Sequence, residues 1–95
     1  MLSKDFSNPA ISARVDILKM VKTYVLIVTN PGVTREIVDA LLAMELVVAA
    51  HEVMGPYDIV AEIEAEELSA IPDFLATQIR TLEGIHSTTS LVAST

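Results

Sequence analysis

Apolar residues fall into blocks whose spacing changes along the chain, and each change marks an element. Tyr24-Val25-Leu26-Ile27-Val28-Thr29 is an unbroken β-prone run. Unbroken rather than alternating apolarity predicts a strand covered on both faces. Asn30-Pro31-Gly32 is turn chemistry. Thr34 then offers a helix cap, and Ile37, Val38, Leu41, Leu42 and Met44 follow at helical spacing, which predicts a helix over 34–44. Two strands, 46–54 and 57–64, flank Gly55-Pro56. Glycine first in a two-residue loop fits a type II′ hairpin with positive φ at Gly55. That loop sets Met54 against Tyr57, Val53 against Asp58, Glu52 against Ile59 and His51 against Val60. A second helix is predicted over 66–82 from Leu68, Ile71, Leu75, Ile79 and Leu82, with Gly84 as its stop. Pro72 either kinks it or sits in the first turn of its main part. The last strand, 85–93, is rich in hydroxyls.

Alternation splits the hairpin into two faces. Leu46, Val48, Ala50, Met54, Tyr57, Ile59, Ala61 and Ile63 share one face with a lone charge, Glu52, and that face is expected to pack on helices. Val47, Ala49, His51, Val53, Asp58, Val60, Glu62 and Glu64 share the other, half apolar and half polar, as expected of a face that meets a second subunit. Tyr57 is thus expected to anchor the core beneath the hairpin, and Asp58 to look outward.

The order strand, helix, strand, strand, helix, strand predicts an α+β, ferredoxin-like βαββαβ fold. Its antiparallel sheet would run in the order fourth, first, third, second strand, with both helices on one face. The other face would be covered by a second copy. Residues 1–22, with Asn8-Pro9 and a short amphipathic stretch, read as an N-terminal arm, and residues 23–95 as the domain.

Composition supports an oligomer: the chain has 95 residues, of which 52% are hydrophobic. A domain of that size has little interior, so an interface is the natural place for the surplus. Charge excludes a nucleic-acid surface. From Thr23 onward the only bases are Arg35 and Arg80, against eleven acids. Binding phosphates requires the opposite balance. Cysteine is absent, and no continuous apolar block suits a secretory signal or membrane span, so the chain reads as cytoplasmic.

Few side chains offer chemistry. His51 and His86 have no neighbouring Cys or Ser that reads as an activated nucleophile, and they read as surface or interface histidines. Glu62, Glu64, Glu66 and Glu67 suit a solvated strand face and a helix start better than a metal site, and no metal or other cofactor is expected. Asp58 has two readings: a carboxylate satisfied by backbone N–H groups, or a partner for a ligand's ammonium. Thr88, Thr89 and Ser90 are either ordinary strand residues or donors to a ligand's carboxylate.

Residues 23–93 resemble the effector-binding (RAM) domain of the Lrp/AsnC regulators of amino-acid metabolism. The similarity rests on Tyr24-Val25-Leu26-Ile27-Val28, on Val53-Met54-Gly55-Pro56-Tyr57-Asp58-Ile59, and on Gly84-Ile85-His86-Ser87-Thr88-Thr89-Ser90-Leu91-Val92. It implies a non-catalytic domain that binds an amino acid or similar small molecule, in a form without the helix-turn-helix domain. It also implies dimers made through open sheet faces, higher rings of such dimers, and full-length regulators of the family as further partners. Gly55, Tyr57, Asp58, Thr88, Thr89 and Ser90 would line the effector cleft. Pro56 and Glu45-Leu46 depart from the pattern: many members have a polar residue at the first place and Pro-Gly at the second. Two other readings share fold and length. One is a small dimeric α+β-barrel enzyme such as a monooxygenase, and the other an assembly module without a ligand.

Overall fold

The computed structural model describes residues 20–93. β1 (Val21–Thr29) lies between two neighbours, pairing antiparallel with β3 (Ile59–Ala65) on one side and β4 (Ile85–Val92) on the other. β2 (Val47–Glu52) adds to the far edge of β3, giving a four-stranded sheet in the order β2-β3-β1-β4. α1 (Thr34–Leu42) follows β1, and α2 (Ala70–Phe74) follows β3 and runs on through a π-helical turn, Leu75–Ile79. This is the expected ferredoxin-like βαββαβ arrangement.

The core lies between sheet and helices. Val25, Ile27, Ile59, Ala61 and Ile63 from the central strands meet Ile37, Val38 and Leu41 of α1 and Ile71, Phe74, Leu75 and Ile79 of the second helical segment. Alternation along β1 and β3 puts every second residue in that core and leaves Tyr24, Leu26, Val28, Val60, Glu62 and Glu64 half-buried on the opposite face. The unbroken apolarity of β1 thus serves two faces, only one of which is covered by the described residues.

The expected hairpin register holds where the strands pair: His51 faces Val60, Glu52 faces Ile59, and the Val53 N–H donates to the Asp58 carbonyl at 2.9 Å. The pairing ends there, and residues 53–58 form an open tip. Gly55 takes the expected positive φ, but at 141° it lies far from the roughly +60° of a II′ turn.

Face assignment fails near the start of β2. The register shifts between Val47 and Ala49, so Val48 is an extra residue. Val47 therefore turns into the core, opposite Ile63, while Val48 is 51% exposed. Met54, expected on the helix-facing side, stands at the tip with 100% exposure. Tyr57 is half-buried rather than enclosed in the core. Glu52, the odd charge on the helix-facing side, meets Arg35 of α1 at 3.5 Å, which accounts for its place there.

At the helix ends, the expectations for Thr34 and Gly84 change, and of the two readings of Pro72 the first-turn one holds. Thr34 does not cap α1: the N-cap is Val33, and the Thr34 hydroxyl lies 2.6 Å from that of Thr29. Pro72 falls in the first turn of α2, where its missing N–H costs no helical bond. Gly84 lies beyond the helix, which gives way after Ile79 to a turn in which the Leu82 N–H donates to the Ile79 carbonyl. Gly84 instead allows close approach. Its φ is 101°, its carbonyl accepts from the Asn30 N–H at 2.8 Å, and a Cβ there would lie 2.8 Å from Val33 Cγ2.

Two stability predictions follow from these contacts. Gly84→Ala combines a left-handed backbone with a steric overlap and should destabilise the fold by about 2 kcal/mol. Thr23 is 0% exposed, and its Oγ1 has no partner among the described residues. Thr23→Val keeps the shape and removes an unsatisfied hydroxyl, so it should raise stability by about 1 kcal/mol. Urea unfolding of each variant against the parent measures both effects.

Candidate functional site

The residues with chemical potential gather at the end of the sheet where β1 stops and β3 and β4 begin. Asp58 sits just before β3, and its Oδ2 accepts the Thr29 N–H at 2.9 Å while its own N–H donates to the Ile27 carbonyl at 2.8 Å. The carboxylate thus extends the β1–β3 ladder by one bond where β1 bends toward α1. Of its two sequence readings, satisfaction by a backbone N–H is the one present within this chain. Asp58 is half-buried and its second carboxylate oxygen makes no bond to the described residues.

Gly55 is exposed and Tyr57 half-buried at the hairpin tip, on the same side of β1 as Asp58. The hydroxyl residues of β4 lie on the other side. Ile59 and Thr88 are both register partners of Ile27, so two strand spacings, about 10 Å, separate the start of β3 from Thr88. The three hydroxyl residues also divide between faces. Thr88 faces Ile27 and Ser90 faces Val25, which puts both on the helix side, whereas Thr89 faces Leu26 on the open side. A single copy therefore gathers Gly55, Tyr57 and Asp58 in one place and Thr88 in another.

Thr88 belongs to a second group. Arg80, just after the π turn, donates through Nε–H to Thr88 Oγ1 at 3.2 Å. Arg80, Ile85, His86, Ser87 and Thr88 line an open recess of about 310 Å³. Arg80 was not among the candidates read from sequence; the available signal was its rarity, as one of two bases after Thr23.

The open sheet face has a charged end and an apolar middle. Lys22 Nζ lies 3.1 Å from Glu62 Oε2 and 3.9 Å from Glu64 Oε2. Its hydrogen bond to Glu62 and the charge of that carboxylate raise the ammonium pKa above the usual 10.5. Beyond this cluster lie Tyr24, Leu26, Val28 and Val60, bordered by Leu91, which is 53% exposed. Glu62 and Glu64 are thus engaged by a cation, and no three His, Asp or Glu side chains assemble as a metal site among the described residues.

Known proteins share this fold. Residues 22–95 match the family profile of the Lrp/AsnC ligand binding domain. No curated protein matches the chain by sequence. Among solved structures, FFRP-DM1 is 34% identical with a TM-score of 0.74, the match covering 77% of this chain and 97% of that one. PHS023 from Pyrococcus horikoshii is also 34% identical with a TM-score of 0.74, over 77% of this chain and 88% of its own. The transcriptional regulator NMB0573 of Neisseria meningitidis, solved as an L-Met complex, shares the fold at 12% identity and a TM-score of 0.72, over 98% of this chain and 58% of its own. By its family profile and its fold, this chain belongs to the Lrp/AsnC ligand-binding domain family.

Proposed function

We propose that the chain is a cytoplasmic effector sensor that binds an amino acid, works as a homo-oligomer, tunes full-length Lrp/AsnC regulators by co-assembly, and catalyses no reaction. The observation that carries this reading is the match of residues 22–95 to the ligand-binding domain of that family. The relative from Neisseria, solved with L-Met, supports an amino acid as the effector class. The half-buried apolar middle of the sheet supports assembly, because a second copy laid face to face would remove Leu26, Val28, Val60 and Leu91 from water. The enzyme reading is weaker, since the layer between sheet and helices is filled by aliphatic side chains and Phe74 instead of a polar pocket.

The effector cleft in this reading lies where the hairpin tip of one dimer meets another dimer. Gly55, Tyr57 and Asp58 line it, and Thr88, Thr89 and Ser90 of β4 contribute as the neighbouring copy brings them near. The free carboxylate oxygen of Asp58 is the acceptor for the ammonium group. A pure assembly module would have the same fold and no such ligand.

Binding to the folded state raises the melting temperature by mass action. At least one free amino acid at millimolar concentration should raise it by several degrees, and a screen of all twenty without a shift would overturn the reading. Asp58→Ala should cost about 1–2 kcal/mol through the orphaned Thr29 N–H, and should also shrink the ligand-induced shift. A ligand-induced shift of undiminished size in that variant would remove Asp58 from the site. Assembly is checked separately: Leu26→Glu, in the middle of the open face, should turn the dimer into a monomer in sedimentation velocity. An unchanged sedimentation coefficient would place the interface elsewhere.

A further inference from the structure

Arg80 departs from the charge pattern of this protein. The chain carries 13 acids against 6 bases, and its net charge is −7. Three of the bases, Lys22, Arg35 and Arg80, fall among the described residues. Lys22 pairs with Glu62 and Glu64, and Arg35 with Asp39 and Glu52. Arg80 has no carboxylate within 4.0 Å among the described residues, and its side chain is held by a neutral hydroxyl, Thr88 Oγ1. In a chain so rich in acids, a guanidinium that meets a hydroxyl and no carboxylate among the described residues keeps its charge available to an external anion.

Two backbone irregularities place the group. The π turn ends with the Arg80 N–H donating to the Leu75 carbonyl at 2.8 Å, a wider turn than the α-helix before it. Such turns occur often at functional sites. Opposite it, the β1–β4 register shifts: Thr29 faces Ile85 and Val28 faces Ser87, so His86 is the extra residue of a bulge. Bulges re-aim side chains at sheet edges. Together the two irregularities bring Arg80, His86, Ser87 and Thr88 around one recess, with Ile85 as an apolar wall.

We propose that this recess is a carboxylate subsite, in which the Arg80 guanidinium receives the acid group of a small organic ligand. Nε–H is spent on Thr88, which orients the guanidinium plane. The two terminal amino groups keep their four N–H donors, a fork that fits a carboxylate in bidentate fashion. Thr88 Oγ1 accepts from Arg80, so its own O–H remains available to the anion, as does the Ser87 hydroxyl. A recess of about 310 Å³ is at the small end of ligand sites and suits a metabolite of amino-acid size. Resting on the proposed function, the inference assigns the effector's carboxylate to Arg80. The ammonium and carboxylate of an α-amino acid are carried by one carbon, whereas the backbone at Ile59, next to Asp58, and at Thr88 is about 10 Å apart across β1. In this proposal Asp58 and Arg80 act on one ligand from different copies of the chain.

The test compares ligands that differ only in their charged groups. The full chain is melted with the most stabilising amino acid, with its 2-oxo acid and with its decarboxylated amine. The acid-bearing pair should stabilise the parent and the amine should not. Arg80→Met should lose at least tenfold in affinity for both acids, and Arg80→Lys, which keeps the charge but not the fork, should lose less. Stabilisation by the amine equal to that by the amino acid, or full affinity in Arg80→Met, overturns the inference. Melts of the unliganded variants check that both fold, and Arg80→Gln replaces Met if the latter does not. If no amino acid stabilises the parent, the proposed function fails, and the subsite is judged alone by following the Arg80 Nε–Hε NMR signal during titration with propionate and with propylammonium. A saturating shift with propionate alone upholds it, and the absence of one sinks it. Dissociation of the unliganded oligomer by Arg80→Met would show that the carboxylate belongs to a second copy, which also overturns the small-molecule assignment.

Discussion

The double pairing of β1 is the constraint on which the rest depends. β3 and β4 both take their register from it, seven paired positions on each side. β2 is placed only through β3, and the helices cover only the face that β1 and β3 fill with Val25, Ile27, Ile59, Ala61 and Ile63. Because β1 is apolar on both faces, the layer that buries one of them leaves the other requiring a cover. Assembly in this reading follows from the composition of one strand and needs no dedicated dimerisation motif.

The end of β1 is tied as firmly as its middle. The Asp58 carboxylate takes the Thr29 N–H, the Thr29 hydroxyl meets that of Thr34, and the Asn30 N–H donates to the Gly84 carbonyl. Three connections that leave the sheet at this end are thereby fastened to one another. Surface ion pairs of the Lys22 and Arg35 kind contribute little by comparison. The polar bonds here act on partly buried backbone, where an unmade bond is costly.

Element order and strand order were legible from spacing, since each reflects a repeat over many residues, and the hairpin register from the two residues between the strands. What escaped were single-residue events. One inserted residue at Val48 reversed the face of Val47, and nothing in Leu46-Val47-Val48-Ala49 distinguishes a bulge from a regular strand. Thr34 looked like a cap because it precedes a helical stripe, but its hydroxyl faces Thr29, a contact between elements that local sequence does not encode. The candidate site was legible in part. For Asp58, the residue types alone allow a backbone partner or a ligand, and the backbone partner is the one the structure contains. The division of Thr88, Thr89 and Ser90 between two faces follows from simple alternation, yet Arg80 was overlooked because its partner is a hydroxyl on another element.

The π turn has a consequence for how this family member can vary. It is one residue of surplus chain within a helix. Deleting one residue from Leu75–Ile79 would restore α-helical winding there and leave the residues beyond it facing nearly as they do now, because four α-helical residues turn through about as much as the five of the π turn. Ile79 would then keep its place in the core and Arg80 its place beside Thr88, while the residues within the turn would be re-spaced. A relative one residue shorter in this segment could therefore keep residues equivalent to Ile79 and Arg80 in the same roles.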